Sequence, residues 1–398
     1  MKHIYIYPIK SMMSYGDLIS KESNKLLSDL KSLLKDYEFT FISDFNNVKK
    51  DDFTLILVQS GGSEGIFKDK IYKAFNGPYY LLTYGSSNSL AASLEILTFI
   101  KNNSKKGEVL HGDNLYIAKR IDELYNLKGD DKVYRLGVLG KPSDWLISSD
   151  VDYKKCLDIF NIELVDIKEE EVISEIESVD KIDIISIPYD KNETIKALKI
   201  YEGLKKIVSK YNLDGFTIRC FDIISKIKSS ACLALSLFNK DDIIASCEGD
   251  IPSMITAFIL YKLLNVHSFQ ANPQWIDPVN NTIELAHCTL PLDMASKVTY
   301  DTHFESGIGI GIHGELHAGD ITIVKINNGL NEFYVEEGEL INNDYRLDRC
   351  RTQIKIKLKS DVTYFLKNSL GNHHLIIYGH KRDKIKNYLE SCGLRNVN

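Results

Sequence analysis

Residues 241–254 read DDIIASCEGDIPSM, a short apolar run that leads into two carboxylates and a proline. The segment IIAS predicts a buried strand. Asp250, followed by Pro252 and the apolar run SMITAFILYKLL, predicts a helix, because Asp favours helix N-caps and proline is tolerated in the first turn. A strand that leads into a helix in this way is typical of a parallel α/β sheet.

Glu248 has no comparable structural explanation. It stands at the carboxyl end of the predicted strand, and open α/β sheets bind their ligands at the carboxyl ends of strands. A solvated strand end, or a partner for a nearby lysine, explains the same pattern, so the residue pattern alone leaves both interpretations open. Glu248 is therefore the first candidate for chemistry.

The composition limits the class of protein. The chain has 398 residues, which suggests two or three domains, and its 44% hydrophobic and 26% charged residues are typical of a soluble globular protein. A formal net charge of -6 does not favour a nucleic-acid partner. The apolar runs are too short for a bilayer and no secretory signal precedes the first predicted strand, so we expect no membrane partner. Seven widely spaced cysteines predict reduced thiols in a cytoplasm.

The pattern of elements changes twice along the chain. Strands alternate with amphipathic helices over residues 1–132, and a second α/β pattern follows over residues 133–290. Residues 291–398 contain short strands with glycine turns and few helices. We therefore predict an α/β fold with two doubly wound α/β domains, followed by a smaller, mostly β C-terminal domain.

Three further polar side chains stand at or near the ends of strand-like segments: Asn272 in FQANP, His287 in LAHC and His373 in GNHH. Mn²⁺ and Mg²⁺ favour carboxylate and carbonyl oxygens, and manganese also accepts imidazole. Together with Glu248, these side chains could surround one ion.

Each of these residues also has a structural interpretation. Asn272 precedes a proline and is typical of a turn. His287 is compatible with a hydrogen-bonded core histidine. His373 and His374 alternate across their strand, so at most one of them faces a given site and the other is expected to be structural. Spacing alone does not decide between these interpretations and a metal site.

The order of several segments resembles the fucose isomerase-like family, whose better-known relatives are the L-fucose and L-arabinose isomerases. The resemblance in the second half rests on FTIRCFDII, CEGDIPSMITAFILYKL, FQANP, LAHCTLP, CRTQ and GNHHLIIYG. In the first half it rests on LVQSGGSEG and YGSSNSLAASLEIL, and GKPSDWLI follows the expected boundary. The resemblance thus spans nearly the whole chain.

The resemblance implies roles for the candidate residues. Glu248 matches an acidic residue that binds Mn²⁺ and serves as acid/base, and His287 and His373 match metal-binding histidines, the latter supplied by the C-terminal domain. A second acidic residue of fucose isomerase falls at Asn272, where this chain has an amide. An amide can donate a carbonyl oxygen to a metal or bind a substrate hydroxyl, but it cannot carry a proton.

The implied reaction is a metal-dependent aldose–ketose isomerisation, in which a proton moves between C1 and C2 of a sugar through an enediolate. Glu248 would be the base. Asp222 is a candidate for the second proton carrier, with Asp250 and Asp277 as alternatives. Arg219 is expected to bind a substrate hydroxyl or an anionic substituent, although it could equally pair with a structural carboxylate.

The loop SGGSEGIF at 60–67 brings Glu64 into consideration as a substrate-binding residue, although a plain strand-to-helix turn explains the same glycines. In the resembled enzymes the N-terminal region of a neighbouring subunit completes the active site. The resemblance therefore implies a homo-oligomer, a trimer or hexamer, with shared active sites.

Two other functions stay open. The amide at Asn272 is compatible with a sugar-binding homologue that has lost catalysis. An epimerase or a lyase could use the same metal and the same enediolate.

Overall fold

A computed structural model describes residues 2–11, 17–46, 48, 52–103, 105–126, 132–183 and 185–398. The chain divides into two compact units. The first contains Met1–Lys132 and Ser391–Gly393, and the second contains Val133–Glu390 and Leu394–Asn398.

The first unit is a parallel α/β sheet. Its strands are ordered β2-β1-β3-β4-β5, and every neighbouring pair is parallel. One apolar cluster packs α1 and α4 against the sheet, and a second contains residues of α3. The elements are β1 (Lys2–Ile9), α1 (Asp17–Leu33), β2 (Tyr37–Phe41), β3 (Phe53–Val58), α2 (Glu64–Ile66), β4 (Tyr79–Leu82), α3 (Ser89–Asn102), β5 (Gly107–Leu110) and α4 (Asn114–Asn126).

The second unit begins with another parallel sheet, ordered β7-β6-β8-β9. Its strands again alternate with helices along the chain. The elements are β6 (Tyr134–Leu139), α5 (Tyr153–Phe160), β7 (Ile162–Ile167), α6 (Glu169–Glu177), α7 (Lys191–Tyr211), β8 (Gly215–Ile218), α8 (Cys220–Ile227), α9 (Cys232–Lys240), β9 (Ile244–Ser246) and α10 (Ile251–Leu264).

The remainder of the second unit is antiparallel, except that its short last strand, β18, pairs parallel to β15. Strands β12 and β13 form a separate antiparallel hairpin. Strands β14, β17, β10, β11, β16 and β15 pair in that order, and β15 pairs back to β14, which closes a barrel. The elements are β10 (Phe269–Asp277), β11 (Thr282–His287), β12 (Ala295–Asp301), β13 (Gly311–Leu316), β14 (Gly319–Ile326), β15 (Glu332–Asp344), β16 (Thr352–Leu358), α11 (Tyr364–Lys367), β17 (His374–Tyr378), α12 (Arg382–Ser391) and β18 (Arg395–Asn396).

The predicted class, α/β units with parallel sheets followed by a β-rich C-terminal part, is confirmed. Sequence analysis places residues 269–287 within the central α/β domain, whereas the structure pairs β10 and β11 with β17 and β16. The alternating pattern of a strand identifies the element but not its partner, and here the partners lie about 70 to 110 residues away. The division into three domains stays a prediction.

Helix α10 occupies the interior of the second unit. Asp250 caps it by accepting the backbone N–H of Ser253 at 2.9 Å, as the sequence predicts, and Asn265 ends it in a left-handed conformation. Residues 251–260 are all buried, because the helix contacts β8 and β9 on one side and β14 and β17 on another. A buried, mostly apolar run of this kind is typical of a helix enclosed between two layers.

Among the described residues, no helix combines the length and the apolar character needed to cross a bilayer.

His267, just before β10, joins the sheet to the barrel. Its Nδ1 lies 2.7 Å from a carboxylate oxygen of Asp293, its Nε2 lies 3.2 Å from one of Asp242, and its ring stacks on Tyr261. The pKa of His267 is raised, because the hydrogen bond that it donates to Asp293 and the charges of both carboxylates outweigh the effect of burial. The imidazolium form therefore stabilises the folded state.

We expect His267→Gln to lower the free energy of unfolding by about 1 kcal/mol more at pH 5.5 than at pH 9, because both carboxylates are largely exposed and screened. The raised pKa gives a contribution that is complete below the unfolded value and is lost as the pH rises. Urea unfolding at the two pH values measures this difference, with the exposed His317→Gln as control. A loss of equal size at both pH values would contradict the charged interaction.

Candidate active site

Glu248 lies in a strained turn between β9 and α10. Glu248 and Gly249 both have a φ of 61°, in the left-handed region. The turn is held from two sides, since the Ser143 hydroxyl donates to the Glu248 carbonyl and the Gly249 N–H donates to the Ile218 carbonyl at 3.0 Å. A left-handed non-glycine residue costs about 1–3 kcal/mol and is often found at functional sites. The surrounding contacts thus fix the position of the Glu248 carboxylate.

Glu248, His287 and His373 come together in the second unit. The Glu248 Oε1 lies 3.4 Å from Nε2 of His287 and 3.5 Å from Nε2 of His373. One ligand atom from each residue lies within 4.8 Å of the others. His287 ends β11 and His373 immediately precedes β17, so two barrel strands and the turn before α10 supply the three groups.

The strand register places Asn272 between the two histidines. In β10, Asn272 is paired with Ala286, which precedes His287. The adjacent Ala271 is paired with His374, which follows His373. The side-chain oxygen of Asn272 is buried and has no hydrogen-bond partner among the described residues.

The donor atoms fit a divalent cation. Nε2 of His287 and Nε2 of His373 are also buried without a hydrogen-bond partner among the described residues, like the Asn272 oxygen. Buried polar atoms in folded proteins are normally paired, so a cluster of buried polar atoms without hydrogen-bond partners calls for an explanation. Ligands at about 2.1 Å from one first-row ion lie roughly 3 to 3.5 Å from each other, and the separations of the two imidazole nitrogens from the Glu248 oxygen agree with that range. One carboxylate, two imidazoles and an amide oxygen form a set that can hold a metal ion.

Asp250 orients His373. Its Oδ2 accepts a hydrogen bond from Nδ1 of His373 at 2.8 Å, so Nε2 faces Glu248 and is the nitrogen that a cation would bind once its proton is displaced. The same oxygen lies 3.4 Å from the buried Nζ of Lys325. Burial alone would raise the pKa of Asp250, but the charges of Lys325 and His373 hold it well below its usual range. The sequence predicts the helix cap but carries no signal for this second role.

The histidines differ in their electrostatics. Burial would lower the pKa of His373, but the carboxylates of Glu248 and Asp250 raise it to about 9. Burial lowers the pKa of His287, and its Nδ1 lies 2.8 Å from the hydroxyl of Thr289. The two imidazoles in turn hold the pKa of Glu248 well below its usual range, despite the opposing effect of burial. Glu248 is therefore ionised and able to bind a cation.

His374 has a separate environment. It is fully buried, its Nε2 lies 3.1 Å from the Tyr364 hydroxyl and its Nδ1 lies 3.1 Å from the Asn372 carbonyl. Burial lowers the pKa of His374 to about 3. These contacts agree with the structural role expected for one histidine of the pair.

The structure joins Arg219 and Asp222 to each other. Nε of Arg219 donates to Asp222 at 2.6 Å, and Nη1 donates to Asp144 at 3.1 Å. The guanidinium also lies over the ring of Trp145, 5.0 Å from its centroid. Within the described part of the chain, no hydrogen bond links Arg219 or Asp222 to the three clustered ligands. Their expected roles in substrate binding and proton transfer stay predictions.

Asp277 has a structural role at the β10–β11 turn. It accepts the backbone N–H groups of Val279 and Asn280, at 2.9 and 3.1 Å. Glu64 opens α2 in the first unit, and its role in substrate binding stays a prediction.

Sequence reasoning also misses His303. This histidine lies after β12 and is 6% exposed. Burial and the neighbouring His287 lower its pKa to about 4, while the Glu248 carboxylate acts in the opposite direction. The only signal in the sequence is that eight of its ten histidines lie at or after residue 267, which does not distinguish one histidine from another.

Comparison with known proteins gives a consistent set of relatives. No protein-family model matches the chain. A sulfoquinovose isomerase from Alkalicoccus urumqiensis is 20% identical over 326 residues, which cover 75% of this chain and 73% of the relative. A sulfoquinovose isomerase from Priestia aryabhattai is 24% identical over 227 residues, or 54% of this chain, and the match spans about half the length of that relative. The similarity is thus to sugar isomerases.

We expect His287→Ala and His373→Ala each to weaken Mn²⁺ binding at least tenfold, because each removes one of three clustered ligand atoms. Isothermal titration calorimetry of each variant measures the affinity, and thermal unfolding checks that the variant is folded. His317→Ala, at an exposed position outside the cluster, serves as the matched control. Unchanged binding in both variants would show that the cluster does not hold the ion.

Asn272 offers a second test of the ligand set. We expect Asn272→Asp to tighten Mn²⁺ binding about tenfold, because a carboxylate adds a negative charge where the amide offers a neutral oxygen. Asn272→Leu should weaken binding, because it removes the oxygen while keeping a side chain of similar size. If calorimetry gives the same affinity for both variants and the wild type, the Asn272 oxygen does not face the ion.

Proposed function

We propose that the protein is a metal-dependent aldose–ketose isomerase, which moves a proton between C1 and C2 of a sugar through an enediolate. The observation that carries this proposal is the convergence of Glu248, His287 and His373, with ligand atoms within 4.8 Å of one another. The similarity to sulfoquinovose isomerases supports the same reaction class. We include membership of the wider fucose isomerase-like family in the same proposal.

We propose that Glu248, His287 and His373 hold Mn²⁺, or another divalent cation such as Mg²⁺, with the oxygen of Asn272 as a neutral fourth ligand. When bound, such a cation polarises a carbonyl and an adjacent hydroxyl and stabilises negative charge on their oxygens. The two imidazoles favour manganese over magnesium, which prefers an all-oxygen set of ligands.

Glu248 is the proposed base. Its carboxylate is ionised, its backbone is fixed by the contacts of Ser143 and Gly249, and its side chain is 15% exposed. A fixed carboxylate of this kind can take the C2 proton of an aldose and return it to C1. Asp250 contributes indirectly, because its hydrogen bond holds the His373 ring in place.

Sulfoquinovose is the substrate that we propose to test first, because it is the sugar in the names of the relatives. It is a hexose with an anionic sulfonate. Arg219 is the cation that sequence analysis proposes for an anionic substituent, although Asp222 and Asp144 already pair with it. Asp222 stays a candidate proton carrier, although its carboxylate is paired with Arg219.

We further propose a cytoplasmic homo-oligomer, a trimer or hexamer, in which Glu64 of a neighbouring subunit approaches the substrate. This assembly rests on the family resemblance.

A sugar-binding protein without catalysis is the second candidate, and the neutral Asn272 favours it. The two candidates differ in one measurable property. An isomerase exchanges a carbon-bound substrate proton with solvent or moves it between carbons, whereas a binding protein does neither.

We expect the Mn²⁺-loaded protein to convert sulfoquinovose to its ketose in D₂O, with deuterium at C1 or C2 in the product. Proton NMR after removal of the manganese measures both changes, and a panel of other aldoses and ketoses extends the test. Conversion without exchange would indicate direct proton return within the site. Neither conversion nor exchange across the panel, with Mn²⁺ bound, would favour the binding protein.

We expect Glu248→Gln to lower kcat at least 10³-fold, because the amide cannot accept the substrate proton. Glu315→Gln, at a carboxylate that pairs with Lys297 on the β12–β13 hairpin, is the matched control. An active Glu248→Gln enzyme would refute the assignment of Glu248 as the base.

A further inference from the structure

The segment from Thr302 to Ser306, between β12 and β13, is fixed beside His287. Arg351 donates from Nε to the Thr302 carbonyl at 2.8 Å and from Nη2 to the Thr302 hydroxyl at 3.0 Å. The backbone N–H of Arg351 lies 3.5 Å from the thiol of Cys288, the residue after His287. The backbone of Phe304 lies near that thiol and lowers its pKa. Thr302 is therefore fixed by hydrogen bonds to Arg351, and Phe304 lies near the residue that follows His287.

The hydrogen bonds of His303 define its tautomer. The backbone N–H of Ser306, which can only donate, points to Nδ1 of His303 at 3.4 Å. The hydroxyl of Ser306 accepts from the Ile308 N–H and lies 3.0 Å from the same Nδ1, so its own proton can point to the ring. Because Nδ1 is an acceptor, the neutral imidazole carries its proton on Nε2.

Nε2 of His303 is available to a ligand. It has no hydrogen bond to any described residue. It is also not fully shielded from solvent, unlike Nε2 of His287 and of His373. The ring of Phe221 packs edge-on at 5.9 Å and limits the orientation of the imidazole. Because Nδ1 accepts hydrogen bonds from Ser306, Nε2 is the nitrogen that presents an N–H group.

We propose that His303 is a catalytic residue, whose Nε2–H donates a hydrogen bond to the substrate oxygen that becomes negative in the enediolate. This inference rests on the proposed isomerase function. A neutral histidine that donates to a developing oxyanion is an established way to stabilise an enediolate.

The reaction then balances without a further reactant. Glu248 takes the C2 proton, the C–H electron pair forms the C1–C2 double bond, and the carbonyl electron pair moves onto O1. His303 donates its hydrogen bond to O1 while that oxygen carries the charge, and it keeps its own proton. Glu248 returns the proton to C1 as the hydroxyl proton moves from O2 to O1. In this scheme Asn272 does not have to transfer a proton to or from a carbon atom.

Three variants test the role of the Nε2–H group: His303→Leu removes it, His303→Gln places an amide N–H near the same position, and His303→Asn places one near Nδ1. The full-length, Mn²⁺-loaded proteins are assayed with sulfoquinovose. We expect His303→Leu to lower kcat about 100-fold with less than a threefold change in KM. His303→Gln should have a kcat at least tenfold higher than that of His303→Leu, and His303→Asn should not.

His313→Leu, on β13 of the same hairpin, is the control and should keep the wild-type kcat. Mn²⁺ affinity and thermal unfolding are measured for every variant. A folded His303→Leu protein with kcat within threefold of wild type would overturn the proposal, as would a folded Gln variant no faster than the Asn variant.

The failure of the underlying function is recognised separately. If the wild-type protein binds Mn²⁺ but converts no sugar in the panel, the isomerase function fails and the role of His303 falls with it. If the wild type is active and the His303 variants keep wild-type kcat, only the role of His303 fails.

Discussion

The arrangement of the site depends on the three contacts of one buried carboxylate, that of Asp250. This carboxylate caps α10 through Ser253, lies 3.4 Å from the buried ammonium of Lys325 and accepts from Nδ1 of His373. A helix end, a barrel strand and a ligand residue therefore share one buried anion. Removing a single member of such a network leaves a buried charge uncompensated, which typically costs about 3–5 kcal/mol. The position of His373 is thus linked to the stability of the second unit.

The strained turn at Glu248 complements this network. Asp250 fixes the helix that follows the turn, and Ile218 and Ser143 fix the backbone of the turn itself. A Cβ atom at position 249 would lie 2.9 Å from the Lys141 carbonyl oxygen, so the close approach of two loops requires glycine there. The carboxylate of Glu248 consequently has little freedom to move away from the two imidazoles. A fixed position of this kind favours both metal binding and proton transfer at one carbon.

The sequence predicts the local elements well and their long-range contacts poorly. The strand-to-helix pattern around Asp250 identifies the cap of α10, because capping depends on residues three positions apart. The contact of Asp250 with His373 spans 123 positions and has no local signal. The pairing of β10 with β17 is missed for the same reason. Resemblance to known enzymes, rather than spacing, selects Glu248, His287 and His373, and the structure then brings their ligand atoms together.

The neutral side chain at Asn272 changes the electrostatics of the proposed site in a definite direction. With Glu248 as the only carboxylate of the cluster, a divalent cation leaves one net positive charge to act on an enediolate. An acidic residue at position 272 would cancel that charge, and in a buried site the difference is large. The cost of the amide is the loss of a proton carrier next to the substrate oxygens. A neutral donor such as His303 can stabilise the negative oxygen of the enediolate without adding negative charge to the site. Such a donor would compensate for the proton carrier that is lost at Asn272. The amide at Asn272 is therefore compatible with catalysis as well as with binding.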